Sequence, residues 1–371
     1  MIEKVIFTQK LEIFLIYCYL NRNGSGRNEL MKYLILFFIF IRLGISAEVD
    51  SFNKRFDEIP DMTDILNKKT ISYFKQAVKD LNKKSHNCDQ KGLYRRMRRD
   101  FKNHMTGRFN RWMINSKEVK VIYTTPKKSI YKYWDSFESF PIKLLSPLML
   151  KKPAGVLAGY VRVGDTFLGT DKFEHFLGTG FSYFKSYFLN RKSIEETVQI
   201  GWNDEVGLLG GMTVGVMSFG DLAAEFNGMF FWNDILRFND NKTIVTQEND
   251  YVANKRNGPY IICKNKKWSI NKGKVFDWRN YVDDSFDEAI NCSLFKTKGM
   301  VSKVKKALKE LGQDGRQYQC PMSKLKFEKL KKKYGKYGPF ILNSKGLGHI
   351  TKKIKKMKWK KATLQQSQED Y

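Results

Sequence analysis

The feature that most constrains the fold is the apolar segment of residues 165–236, which combines helical periodicity with ionisable side chains. Its longest uncharged stretch, Val206–Gly220, has 15 residues and contains two adjacent glycines. A helix that spans a membrane needs roughly 20 consecutive apolar residues, so this stretch is too short to cross a bilayer. The segment is therefore predicted to form the helical core of a globular domain.

Three helices are predicted within this segment, and the first and third carry polar residues at helical spacing. In the first, Asp171 and His175 are four residues apart and share one face, which Ser182 continues as a polar stripe. In the third, Asp221 and Glu225 are also one turn apart on one face. Their like charges require a shared partner or separate solvation.

The second helix contains the most unusual carboxylate. Ser193 and Glu196 have the spacing of a capping box, which marks where this helix begins. Further along, Glu205 falls in the middle of the apolar stripe of the helix. A carboxylate on a buried face is costly without a proton, a cation or a hydrogen-bond donor. Glu205 is therefore predicted to have a partner.

Convergence of these helices would create a metal site. One imidazole and several carboxylates suit a hard or borderline divalent metal such as Mn, Mg, Fe or Zn. The candidate metal ligands are His175, Glu205, Asp221 and Glu225. A divalent metal is thus the cofactor that the sequence suggests.

The same region also offers candidate catalytic residues, which are His175, Glu205 and Asp171. Burial raises the pKa of a glutamate, so Glu205 can act as a general base without a metal. Either arrangement activates water, and it predicts the hydrolysis of an ester, a phosphoester or an amide.

A purely structural cluster is the alternative. Ser218 and Asp221 have the spacing of a helix cap, and Glu205 can bond to His175 or Lys172 without any chemistry. On this interpretation the polar residues lock three helices together. The protein would then be a non-catalytic envelope scaffold or binding protein.

Residues 31–47 have the pattern of a secretory signal peptide. Lys32 precedes the apolar run Tyr33–Ile41, and the small residues Ser46 and Ala47 follow it. The run is too short to span a membrane comfortably. This order of charge, apolar run and small residues predicts an exported protein.

The position of this pattern predicts how the leader is made and removed. We expect translation to start at Met31, with residues 1–30 as an upstream extension, and cleavage to follow Ala47. The mature protein is then periplasmic or secreted. The alternative is an uncleaved inner-membrane anchor through residues 31–47.

The cysteine count supports an oxidising compartment. Of five cysteines, only Cys18 precedes the predicted cleavage point. An even number of cysteines in an exported chain suggests disulfides, and four cysteines can pair in three ways. The disulfide candidates are Cys88, Cys263, Cys292 and Cys320.

The net charge of +29 comes mainly from lysine, since only 16 of the 67 basic residues are arginine. Proteins that read nucleic acid rely on arginine, so a nucleic-acid partner is not favoured. One predicted helix does carry an arginine cluster, and a basic anion-binding protein is a further alternative. Its partner would be an anionic envelope polymer or a lipid surface. The alternative is a basic helix face that is only solvated and binds no partner. The candidate anion-binding residues are Arg95, Arg98, Arg99 and Lys102.

The whole chain is predicted to be mainly α, with a helical core, minor β elements and a disulfide-stabilised C-terminal part. Four regions follow the leader: an N-terminal helical region (48–160), the helical core with the polar site (161–240), a mixed β and turn region (241–300) and a Lys-rich C-terminal region (301–371). An acidic island at residues 277–288 suits calcium, a basic partner or a solvated helix start. The oligomeric state is left open.

Two motifs carry a resemblance to known proteins. The motif TDKFEHFLGTG at residues 170–180 resembles the Asp-Lys-x-x-His opening of small exported bacterial proteins of unknown function, and it is similar there to VanZ-like envelope proteins. The run GDLAAEFNGMFFWNDIL at 220–236 resembles a stretch of uncharacterised exported proteins of predatory and related bacteria, as does 276–293 more loosely. The resemblance implies a location in the cell envelope. Its matching positions are Asp171, Lys172, His175, Glu205, Asp221, Asn227 and Gly228.

Overall fold

The part of the chain that the structure describes contains eleven α-helices and seven short β-strands. The structure is a computed structural model, and it describes residues 48–84, 87–102, 106–134, 157–207, 210–211, 215–237 and 257–359. All of these residues belong to one compact unit, Ser46–Tyr371. The predicted mainly α fold with minor β elements is confirmed. The predicted leader at residues 1–47 lies outside the described residues.

The helices are α1 (Thr63–Lys84), α2 (Gln90–Asp100), α3 (Arg108–Asn115), α4 (Thr170–Leu177), α5 (Thr179–Phe184), α6 (Ile194–Val206), α7 (Phe219–Leu236), α8 (Lys298–Leu311), α9 (Lys324–Tyr334), α10 (Gly338–Ile341) and α11 (Lys352–Lys355). The strands are β1 (Tyr160–Val163), β2 (Thr166–Gly169), β3 (Val216–Met217), β4 (Ile261–Lys264), β5 (Lys267–Ile270), β6 (Leu294–Phe295) and β7 (Gly348–His349).

Local sequence signals set the ends of several helices. The predicted capping box of α6 is confirmed, because the Ser193 side chain accepts from the backbone N–H of Glu196 and the Glu196 side chain accepts from that of Ser193, both at 3.1 Å. Gly107 caps α3 and separates it from α2. Gly178 ends α4 and begins α5, so the polar stripe predicted on one helix is divided between two.

Helix α7 is the centre of the fold, and all of its residues except the last are buried. A helix that is apolar around most of its circumference belongs in the interior of a protein. It packs against α4 and α5. A Cβ at Gly228 would lie 2.1 Å from the backbone oxygen of Phe176, so glycine is what allows this close approach. The approach brings side chains of α4 directly against those of α7.

Short strands connect distant segments to this core. Strands β1 and β2 form an antiparallel hairpin whose turn contains Gly164 at φ +59°, and β2 runs directly into α4. Strand β6 pairs antiparallel with β3 and parallel with β7, while β4 and β5 form a separate hairpin. The pairing of β3 with β6 places the chain that precedes Leu294 beside the start of α7.

The Lys-rich C-terminal region is folded onto the core as far as residue 359. The Trp359 ring packs against Trp202 and Phe340, with ring centroids 5.2 Å and 4.6 Å apart. The indole N–H of Trp202 donates to the backbone oxygen of Ile354 at 3.3 Å. The lysines of this region therefore project from a folded surface. No helix in the described ranges is both long enough and apolar enough to cross a bilayer.

Two disulfides select one of the three pairings that the sequence leaves open. Cys88 is bonded to Cys263, and Cys292 is bonded to Cys320. The first bond joins the chain before α2 to strand β4. Disulfide stabilisation therefore extends beyond the C-terminal part for which it was predicted.

We expect removal of the Cys88–Cys263 bond by a double serine substitution to lower the free energy of unfolding more than removal of Cys292–Cys320. The first bond closes 175 residues and the second closes 28. Chain-entropy arguments give about 5 and about 3.5 kcal/mol for loops of these lengths. Urea unfolding of the two double variants measures both values, and a larger loss from the shorter loop would contradict the expectation.

Candidate metal centre

Helix α4 presents three ionisable side chains to the core. Asp171, Lys172 and His175 are 5%, 0% and 7% exposed. Gly169 immediately precedes α4, and a Cβ there would lie 2.0 Å from Oδ1 of Asp171, so the missing side chain makes room for the carboxylate. Asp171 also lies in the first turn of α4, where the positive end of the helix dipole stabilises a negative charge.

The start of α7 provides the opposite wall of the cluster. The Ser218 side chain accepts from the backbone N–H of Asp221 at 3.1 Å, which confirms the predicted cap. Nδ1 of His175 lies 2.9 Å from Oε1 of Glu225, and its Nε2 lies 3.4 Å from Oδ2 of Asp221. The imidazole is therefore held between two carboxylates that are one helical turn apart.

Glu205 reaches the cluster from the C-terminal end of α6 and is 1% exposed. Its Oε2 accepts from the backbone N–H of Ser218 at 2.9 Å. This backbone N–H is a donor that the sequence analysis did not name. Glu205, His175 and Glu225 each offer a ligand atom within 4.8 Å of the other two, so the three can hold a metal ion.

Lys172 is the second centre of the cluster. Its Nζ lies 2.7 Å from Oδ2 of Asp171 and 2.7 Å from Oδ1 of Asp221. The same ammonium contacts the Glu288 carboxylate, and Ser218 Oγ lies 3.3 Å away. One buried cation thus joins α4, the start of α7 and the segment that precedes β6.

A further buried carboxyl group, Glu48, lies beside the Lys172 contacts. It is 3% exposed, and its Oε2 has no hydrogen-bond partner among the described residues. Burial raises the pKa of Glu48 well above its usual value, and the nearby Glu288 and Asp221 carboxylates raise it further. Glu48 therefore adds a sixth acidic group to the cluster.

Acidic groups greatly outnumber basic ones in this cluster. The two basic groups are Lys172 and His175, and both are buried. Burial of unpaired negative charge is expensive, and protons or a bound cation are the two ways to reduce the cost. The six carboxyl groups are Glu48, Asp171, Glu205, Asp221, Glu225 and Glu288.

The pKa shifts reflect this imbalance. Burial, followed by the Asp221 carboxylate, raises the pKa of Glu205 well above its usual value. Burial opposes the charged form of His175, but Asp221 and Glu225 still raise its pKa well above the usual range. Burial raises the pKa of Asp171 to about 7, although Lys172 acts against the shift. A group that titrates near neutral pH is suited to general acid–base catalysis.

All members of the cluster are buried, and their exposed fractions differ only slightly. His175 is 7% exposed and Asp171 is 5% exposed, whereas Glu205, Asp221 and Glu225 are at most 1% exposed. His175 and Asp171 are thus the most exposed members of an enclosed cluster.

The structure brings together all five residues that the sequence predicts to converge. It adds Glu288 and Glu48, which the sequence analysis did not place at the site, and it makes Lys172, named there only as a partner for Glu205 and as a position of the resemblance, the central cation. Lys172 stands between Asp171 and His175 in the sequence motif, so its position was a usable signal. Glu48 and Glu288 had none, because long-range packing brings them to the cluster.

The other acidic residues near Glu288 have local partners instead. Asp284, Asp287 and Asp283 each pair with a basic side chain, while Glu288 turns inward to Lys172. The pairs are Asp284–Lys326 at 2.7 Å, Asp287–Arg55 at 2.6 Å and Asp283–Lys333. The acidic island is therefore divided among several contacts and does not form one calcium site.

The candidate anion-binding residues lie on and just after α2, away from this cluster. Arg95 and Arg99 are exposed, whereas Arg98 and Lys102 are half-buried. The Arg98 guanidinium lies over the Phe181 ring, 4.5 Å from its centroid. Arg95 and Arg99 are thus the two members of this set that are most open to an anionic partner.

No family model, curated protein or solved structure matches this chain. The resemblance at residues 170–180 therefore stays a prediction.

We expect His175→Ala to lower the free energy of unfolding by about 3–5 kcal/mol, because it leaves buried carboxylates without their cation. Urea denaturation measures the loss. His349→Ala is the matched control, since His349 lies on β7 and contributes nothing to the cluster, and we expect a change of about 1 kcal/mol or less. Equal stability of the His175 variant and the wild type would contradict the ion-pair arrangement.

Proposed function

We propose that this chain is an exported bacterial envelope protein whose buried His–carboxylate cluster binds a divalent metal and uses it to hydrolyse an ester, a phosphoester or an amide. The observation that carries the proposal is the excess of buried acid: six carboxyl groups share two basic side chains. A bound dication reduces this excess by two charges and leaves the carboxylates ionised, so that they remain available as metal ligands.

The residues fit such a metal in kind as well as in number. His175 supplies an imidazole nitrogen, and Glu205 and Glu225 supply carboxylate oxygens, with ligand atoms within 4.8 Å of one another. Mixed nitrogen and oxygen donors suit Mn, Fe or Zn, and oxygen-rich sites also suit Mg. Asp221 lies 3.4 Å from His175 and is the natural fourth ligand.

Hydrolysis follows from what these residues do around the metal. A bound dication lowers the pKa of water and polarises a carbonyl or phosphoryl oxygen. Asp171 has a pKa of about 7, and its buried Oδ1 has no hydrogen-bond partner among the described residues. It is placed to take a proton from water and to return it to the leaving group.

Disulfide bonding supports the exported location. All four cysteines that follow residue 47 are paired. Disulfides form and persist in oxidising compartments and are rare in the cytosol. N-terminal sequencing of the mature protein tests the leader directly: we expect Glu48 as the first residue, and a protein that retains residues 31–47 would contradict cleavage after Ala47.

Glu205→Gln separates a metal centre from a structural cluster. Glutamine keeps an oxygen that can accept from the Ser218 N–H but removes one negative charge. If Glu205 is a metal ligand, we expect the affinity for Mn²⁺ or Zn²⁺ to fall about tenfold or more. The metal-free variant should be at least as stable as wild type, because a repulsive charge has been removed. Calorimetric titration and urea unfolding measure the two effects.

Glu328→Gln is the matched control, because Glu328 is exposed on α9 and should leave metal affinity unchanged. Hydrolysis of p-nitrophenyl esters and phosphoesters is measured with the metal present and after chelation. The scaffold alternative predicts no metal binding by the wild type and no hydrolysis that depends on metal. That result would overturn the proposed function.

A further inference from the structure

Asp221 faces two different positions within the cluster. Its Oδ2 is directed to His175 at 3.4 Å, and its Oδ1 is directed to the Lys172 ammonium at 2.7 Å. A carboxylate shared between two neighbouring cations is typical of two-metal hydrolytic sites. Here the second of the two positions contains an ammonium group.

The second position has its own set of metal-type ligands. Asp171, Asp221 and Glu288 each offer a carboxylate oxygen within 4.8 Å of the other two. The Lys172 Nζ contacts all three carboxylates and is 0% exposed. Oxygen-only ligands of this kind suit Mg²⁺ or Mn²⁺.

Carboxylate oxygens without a hydrogen-bond partner show that this position has more acceptors than one ammonium group can satisfy. Oδ1 of Asp171 and Oε2 of Glu48 are buried and have no hydrogen-bond partner among the described residues. Glu48 interacts electrostatically with both Glu288 and Asp221, which places it beside the same group. An ammonium has only three donors, so it cannot satisfy every acceptor that surrounds it.

We infer that Lys172 is a built-in cation that occupies the second position of the centre, so that the protein binds one divalent metal where its carboxylates would otherwise bind two. The first position is the one in the proposed function, and the inference rests on that proposal for its occupant. Lys172 acts as a positioning residue, because it holds Asp221 between the two positions and excludes a second ion.

Removal of the lysine side chain should convert the second position into a metal site. In Lys172→Ala the three carboxylates remain and the space of the side chain is vacated. We expect full-length wild-type protein at saturating Mn²⁺ to bind one ion per chain, and Lys172→Ala to bind two. Elemental analysis after gel filtration gives the stoichiometry of each protein.

Two further variants distinguish the effect of the Lys172 charge from the effect of the space that its side chain fills. Lys172→Met removes the charge but fills the space, and Lys172→Arg keeps the charge. We expect neither to bind more Mn²⁺ than the wild type. Thermal unfolding with and without Mn²⁺ shows whether each variant is folded, and the melting temperature of Lys172→Ala should rise more on Mn²⁺ addition than that of the wild type.

The outcomes for this inference and for the proposed function are distinguishable. If the wild type binds no Mn²⁺ but Lys172→Ala binds one, Lys172 occupies a cation position and the proposed function fails. The inference is overturned if the wild type binds two ions, or if folded Lys172→Ala binds no more ions than the wild type. Neither result contradicts a metal at the first position. If Lys172→Ala does not fold, the Mn²⁺ spectrum of the wild type decides by electron paramagnetic resonance: an isolated ion supports the inference, and a coupled pair overturns it.

Discussion

The burial of the Lys172 ammonium among carboxylates is the interaction on which the rest of the structure depends. Its three ion pairs come from α4, from α7 and from the segment before β6. A buried lysine is tolerated only where its charge is fully compensated, and removal of one partner of a buried pair is costly. The positions of these three segments therefore depend on one another. The geometry around His175 depends on the same contacts, because His175 lies on α4 beside Lys172.

The cluster carries more negative charge than folding alone requires. A single carboxylate would have been enough to pair with Lys172, yet six acidic groups lie within the cluster. Proteins retain such destabilising arrangements mainly at functional sites, where the lost stability is offset elsewhere. Here the offset comes from the extensive aromatic core around α7 and from two disulfides. This balance of charge is why we favour a metal centre over a scaffold.

The sequence predicted those parts of the fold and of the site that depend on local periodicity. Helical spacing placed Asp171 with His175 and Asp221 with Glu225, and the apolar stripe of α6 showed that Glu205 is buried. The capping box of Ser193 and Glu196 and the cap formed by Ser218 are likewise local signals.

The remaining parts could not be predicted, because they depend on contacts between distant segments. Glu288 reaches Lys172 through the pairing of β3 with β6, and two strands of two residues each are too short to show any alternation in the sequence. Cysteine spacing does not determine connectivity, so the bond between Cys88 and Cys263 had to come from the structure. Glu48 follows the predicted leader directly, and nothing in its neighbours indicates that it is buried.

The wide separation of the cluster residues along the chain has a consequence for folding kinetics. Residues 48, 172 and 288 must meet, and closing such large loops costs entropy that is recovered only when the contacts form. The contacts that join residues 48, 172 and 288 are therefore among the entropically most costly contacts of the fold. The proposed metal ligands His175, Glu205 and Glu225, by contrast, all lie between residues 175 and 225, so their part of the cluster requires the closure of much shorter loops.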